Sequence, residues 1–210
     1  MTAINIVTTP TLITIATDGA IYDDELRVTG IGSKIDLIPN LSGAFAFRGM
    51  NISNELRWCF SGYISFDQLL TNLDTNFRDI TDGLESPIEL IVTGFSKEGP
   101  TTRFICNDQS ETASVVQPYK SMQCGSVACG PSLGDEFSLP LNADMPRDLV
   151  VKRLRQLVAA QRRQITDNQG RHAVGGFCQI TTIAPKSIET RITDRWPDQI
   201  GEFIQPEKDA

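Results

Sequence analysis

Apolar residues alternate or cluster in short β-branched runs over the first fifty positions. Thr11–Thr17 (TLITIAT) is such a run, and Asp18-Gly19 turns the chain after it. Ala20–Thr29, Ser33–Ile38 and Leu41–Arg48 follow, separated by turn residues. Four short strands in a row predict a β-meander. The period then changes. Ser53–Gly62 reads as a helix carrying Leu56, Trp58, Cys59 and Phe60. Ser65 and Gln68 have capping-box spacing. Behind them Phe66, Leu69, Leu70, Leu73, Phe77 and Ile80 recur at helical intervals, one apolar face of a second helix.

Strand patterns return at Pro87–Ser96 and Thr101–Asp108, a hairpin, with Ala113–Gln117 and Ser121–Cys129 as shorter strands. A break at Gly130–Gly134 and an acidic-polar loop lead to Asp144-Met145-Pro146, where proline favours a helix start. That helix is predicted to run to about Thr166. Val150, Leu154, Leu157, Val158 and Ile165 form its buried stripe, and Lys152, Arg155, Arg162 and Arg163 lie on its remaining surface. Gly175–Ala184 and Ser187–Arg191 read as a last hairpin. Helices in blocks between groups of strands predict an α+β fold in layers, not alternating βαβ units. The tail from Trp196 to Ala210 has two prolines and several charges and is expected on the surface.

Composition narrows the function classes. The 210 residues fit one domain, 1–210. A net charge of −7 argues against a nucleic-acid partner that works by phosphate neutralisation. No apolar run reaches the length of about 18 residues that a membrane span needs, and the N-terminus lacks a basic, long-apolar signal pattern, so a cytoplasmic protein is expected, with no membrane partner. The five cysteines are odd in number and form no C-x-x-C pair. Buried free thiols are the simplest reading, and no metal or cofactor is expected. His172, the only histidine, lies in a polar segment without a G-x-S-x-G elbow elsewhere and reads as a loop residue.

Four segments together resemble proteasome β-type subunits of the N-terminal nucleophile hydrolase class. They are Thr9 through the Asp18-Gly19 turn to Glu25; Ser33-Lys34-Ile35-Asp36 with the small-residue strand ending at Gly49; the hairpin from Ile91 to Asp108; and Gly125-Ser126 with the later Val174-Gly175-Gly176. The likeness covers roughly residues 9–192. It implies a four-layer α/β/β/α sandwich, with helices outside two antiparallel sheets. It also implies a homo-oligomer and a threonine-type hydrolase of peptides or small amides. In that chemistry an N-terminal Thr hydroxyl attacks the amide while its own α-amine moves the proton. Carried over by position, Thr9 is the nucleophile after removal of a leader, residues 1–8. Lys34 is the active-site lysine, Glu25 (or Asp24) the acid, and Ser126 the residue supporting the amine. Thr2 is a second candidate, exposed by loss of Met1, but it would need the leader to fold back. Pro10 follows Thr9, and Arg171 and Val174 stand where the family has an Asp and a Ser. The alternative is a non-catalytic relative that acts in assembly or binding.

Overall fold

The computed structural model describes residues 2–133 and 145–209. The acidic-polar loop before Asp144 lies outside them. Twelve strands occupy β1 (Ile4–Thr9), β2 (Leu12–Asp18), β3 (Ala20–Tyr22), β4 (Val28–Ile31), β5 (Asp36–Ile38), β6 (Gly43–Gly49), β7 (Ile88–Ser96), β8 (Gly99–Cys106), β9 (Met122–Cys124), β10 (Ser126–Cys129), β11 (Phe177–Ala184) and β12 (Ser187–Arg195). They form antiparallel sheets of five, two and five strands, in the orders β10-β1-β2-β11-β12, β3-β4 and β5-β6-β7-β8-β9. Among the described residues there are three α-helices: α1 (Ser53–Ser61), α2 (Phe66–Thr81) and α3 (Arg147–Arg162).

This corrects the expected four-layer α/β/β/α sandwich. The described chain is mostly β, with three sheets, and it lacks full helical layers. The reason is one of area. A helix is about 10 Å wide, and strands lie about 4.8 Å apart, so one helix covers about two strands. α3 lies chiefly over β2, with β11 and β1 at its flanks, and much of β12 remains exposed.

Side-chain alternation along β1 assigns its two faces. Ala3 and Val7 pack with Val150, Leu154, Leu157 and Val158 of α3. Ile4 and Ile6 point the other way, into a cluster shared with Ile13, Ile15, Ala44, Ile91 and Phe104 between the two large sheets. On the far side, Phe66, Leu69, Leu73 and Phe77 of α2 and Leu56 and Phe60 of α1 pack on Phe45, Leu90 and Val92. Ser65 caps α2 as expected, its hydroxyl accepting from Gln68 N at 3.2 Å.

Other elements differ from the sequence reading. Ile4–Thr9, most of which lies in the leader expected at residues 1–8, forms an inner strand, paired with β2 over its whole length and with β10 from Ile4 to Val7. Ala20–Thr29 divides into β3 and β4 around Leu26, which has φ 63°. Residues near Ala113 form a turn of 3₁₀ helix, because Ser110 accepts from Thr112 N and starts it. Ser121–Cys129 crosses between sheets, β9 pairing with β8 and β10 with β1. α3 ends at Arg162, leaving Ile165 exposed. Arg162 is not on the surface but only 1% exposed. Among the described residues no helix is long and apolar enough to cross a membrane.

Candidate functional site

β2 ends in Asp18, opposite Cys178 of β11 and one residue beyond the last β1–β2 pair, Ile4 with Thr17. The Asp18 side chain is wholly buried. A buried carboxylate needs hydrogen-bond donors in place of the water it has lost, and this one has them. Its oxygens accept from Ala3 N (3.1 Å), Ala20 N (3.3 Å) and Gly175 N (3.1 Å). Lys34 Nζ donates to both, at 2.9 Å each.

Lys34 sits on the connection from β4 to β5, where its neighbours are fixed. Ile35 is buried between the sheets. Gln179 of β11 donates to Ser33 Oγ at 3.0 Å. The Lys34 side chain is 11% exposed, and its nitrogen lies 5.6 Å from the Tyr22 ring centre. Burial holds the Lys34 amine below its ordinary value; the adjacent Asp18 charge opposes that shift without cancelling it.

The remaining contact of this amine is Thr2 Oγ1, at 3.5 Å. Thr2 continues the β1 alternation onto the face of Ile4 and Ile6, toward the second sheet. Thr2, Asp18 and Lys34 are spaced sixteen residues apart in the chain. Their meeting follows from the fold: β1 returns alongside β2, and the β3–β4 excursion brings Lys34 back to the end of that pair. The Lys34 amine thus bridges the Thr2 hydroxyl and the Asp18 carboxylate.

The other sequence-derived candidates lie elsewhere. Thr9 closes the β1–β2 hairpin opposite Leu12, and its hydroxyl donates to Leu12 O at 3.0 Å. Seven residues of strand separate it from Thr2, about 24 Å at 3.4 Å per residue. A cavity of 210 Å³ lies beside it, with Leu12, Thr14, Arg147 and Val150 in its lining. That is below the usual size of a ligand pocket, about 300–1,000 Å³. Arg147 is held by Glu189 and Thr182. Glu25 is exposed and pairs with Arg27 at 3.5 Å. Asp24 is exposed too. Ser126 is exposed on β10 opposite Val7, toward the Thr9 end. Arg171 pairs with Asp167 and donates to Glu25 O at 2.6 Å. Val174 is buried under α3. His172 is a loop residue donating to Gln164 O at 2.9 Å.

Of the four candidates placed by resemblance, then, the structure brings only Lys34 into a charged cluster. The sequence marks Asp18 only as a turn residue, and no local pattern signals that its carboxylate is buried against Lys34. Among the described residues no cluster of His, Cys, Asp or Glu could hold a metal ion. All five cysteines are free. Neither family models nor curated proteins give a match to this sequence.

Proposed function

We propose that this chain is an N-terminal threonine hydrolase of peptides or small amides, as the resemblance to proteasome β-type subunits implies, with Thr2 rather than Thr9 as nucleophile. The observation that carries the reading is the 3.5 Å separation of Thr2 Oγ1 from the buried Lys34 amine. Cutting the Met1–Thr2 bond would free the Thr2 α-amine, which titrates near neutrality, at about 7.7–8.0. That amine takes the hydroxyl proton as Oγ attacks the amide carbon. It returns the proton to the leaving nitrogen, and water then hydrolyses the ester on Thr2. Lys34 favours negative charge on the attacking oxygen. Asp18 holds Lys34 in place. The reading rests on this cluster and not on the layer architecture.

The proposal places the reaction in the cytoplasm, where the five free thiols stay reduced. Self-association belongs to it as well: Trp58 and Ile64, 83% and 90% exposed, give apolar surface beside α1. Light scattering checks this, and a monomer at micromolar concentration would remove it.

The deciding experiment measures intact mass and amide hydrolysis for the wild type, Thr2→Ala, Lys34→Met and Thr9→Ala. The expected result is a wild-type chain beginning at Thr2 whose hydrolysis is lost in Thr2→Ala and Lys34→Met and kept in Thr9→Ala. Hydrolysis that survives in Thr2→Ala would overturn the assignment. A wild type that begins at Thr2 and hydrolyses nothing would favour the non-catalytic alternative.

A further inference from the structure

The segment after β12, expected on the surface, is tied down. Ile204 is 2% exposed and packs with Ala20 and Val28. Val28 N donates to Glu202 O at 2.9 Å, and Gly201 N to Val28 O at 2.8 Å. The Phe203 ring lies between Arg27 and Arg171, 4.3 and 5.6 Å from its centre. Farther on, Asp209 accepts from Arg162 Nε and Nη2 at 2.6 and 2.7 Å.

Arg162 binds more than the tail. Its Nη1 and Nη2 donate to Asp198 at 2.8 and 3.0 Å, and Nη1 also donates to Val174 O at 3.1 Å. The Trp196 ring stacks 4.7 Å from the guanidinium. Asp198 Oδ2 in turn accepts from Gly176 N at 2.7 Å. One residue back, Gly175 N donates to Asp18, and Gly175 O accepts from Gly19 N at 2.9 Å. Both glycines are demanded by this closeness. A Cβ on Gly175 would stand 2.6 Å from Asp198 Oδ2, and Gly176 has φ 75°.

We infer that Arg162 is a positioning residue for the Thr2 site: with Asp198 and Asp209 it straps residues 196–209 onto the Gly175–Gly176 turn, and that turn sets the Asp18 carboxylate against Lys34. The planar guanidinium fork matters here. It satisfies two carboxylates and a carbonyl at once, which a lysine ammonium on the same helix cannot reproduce. A buried cation held by the buried Asp198 carboxylate and the more exposed Asp209 adds little net stability over an apolar packing, so its use lies in fixing geometry. The kinetic consequence rests on the hydrolase reading; the geometric one does not.

The test uses full-length Arg162→Lys, Asp198→Asn and Asp209→Asn, with two readouts. The first is the Lys34 side-chain titration, followed by NMR on lysine-labelled protein and assigned with Lys34→Met. The second is kcat and KM for amide hydrolysis. Asp18 is the group that raises the Lys34 proton affinity against burial. A displaced carboxylate therefore moves the Lys34 midpoint further down in Arg162→Lys and Asp198→Asn. It also lowers kcat by about 10- to 100-fold, with KM little changed, as misplacement by about 1 Å does. If Arg162→Lys does not fold, Asp209→Asn, which keeps the shape, shows the same downward movement in smaller measure. An unmoved Lys34 midpoint in folded Asp198→Asn and Asp209→Asn would overturn the inference, even if both are less stable. If the wild type hydrolyses nothing, the NMR arm still decides: a moved midpoint keeps the strap while the hydrolase reading falls.

Discussion

The two ends of β1 carry the same residue type in opposite surroundings. At one end Thr2 faces an amine that burial has made easier to deprotonate, backed by a carboxylate with three backbone donors. At the other, Thr9 spends its hydroxyl on the carbonyl of Leu12 across a two-residue turn. Near that turn the sheets meet through neutral groups, Thr8 and Thr102 hydroxyls 3.1 Å apart. A threonine becomes a candidate nucleophile through the charges held near it. Its distance from a turn motif does not suffice.

The sharpest break in this comparison is to begin the chain at Thr9. Deleting residues 1–8 removes most of an inner strand and with it the packing of Ile4, Ile6 and Val7, each about 1% exposed or less. At about 1.5–3 kcal/mol per side chain, that loss is comparable with the whole stability of a domain, about 5–15 kcal/mol. The truncated chain is expected not to fold, read by the absence of a cooperative urea transition. A folded, active chain beginning at Thr9 would restore Thr9 as the nucleophile.

Next in size is Asp18→Asn. The new amide nitrogen faces backbone donors, and Lys34 loses its counter-charge. Breaking a buried ion pair from one side costs about 3–5 kcal/mol. Urea unfolding of Asp18→Asn against the wild type reads this directly. The matching change in an exposed pair, Glu25→Gln, removes only the contact with Arg27 and should stay within about 0.5 kcal/mol.

The sequence made some of this contrast legible. The α2 stripe, the Ser65 cap and the β7–β8 and β11–β12 hairpins followed from period and turn chemistry, and Lys34 was picked out only by the resemblance. What failed was long-range. Ile4-Asn5-Ile6-Val7 has the β-branched character of a strand, but a strand earns that status only when β2 and β10 pair with it. Asp18-Gly19 has turn chemistry, and nothing local says that its carboxylate is wholly buried. Arg162 looks like a surface charge on a helix because its acids, Asp198 and Asp209, lie 36 and 47 residues away in sequence. The helical layers fell short for a related reason: amphipathic stripes reveal that helices are present, not how many strands they cover.

A pH series separates the Thr2 end from the rest of the molecule. Lys34 binds its proton less tightly in the folded chain than its ordinary value of 10.5. Between the lowered folded value and the unfolded one, the unfolded chain carries more protons, so stability rises with pH through that window. Below the window the penalty is constant. Other groups titrate there with opposite sign: Cys178, pushed up by burial to about 11, releases its proton later when folded, which lowers stability as pH rises. The measurement is therefore the difference between wild type and Lys34→Met in urea midpoint against alkaline pH. The wild type should gain on Lys34→Met as pH rises. No relative gain would show that Lys34 is not held in its deprotonation-prone state, and the contrast between the two ends would lose its electrostatic basis.

The smallest expected effect belongs to Thr9→Ala. Its hydroxyl is half-buried and makes one bond, to Leu12 O. A neutral hydrogen bond contributes about 0.5–1.5 kcal/mol net, and here the carbonyl left behind lies at a hairpin end within reach of water, so the loss should fall at the low end of that range. The β1–β2 register survives, because Ile4 through Thr8 still pair with Ile13 through Thr17. Since the strand keeps its register, Thr2 keeps its place beside Lys34, and hydrolysis should match the wild type. Thr2→Ala is the matched partner: equally small in unfolding free energy, yet complete in its loss of activity. If Thr9→Ala instead cost activity without costing stability, the far end of β1, with its 210 Å³ cavity, would take part in the chemistry, and the division between the two ends would fail.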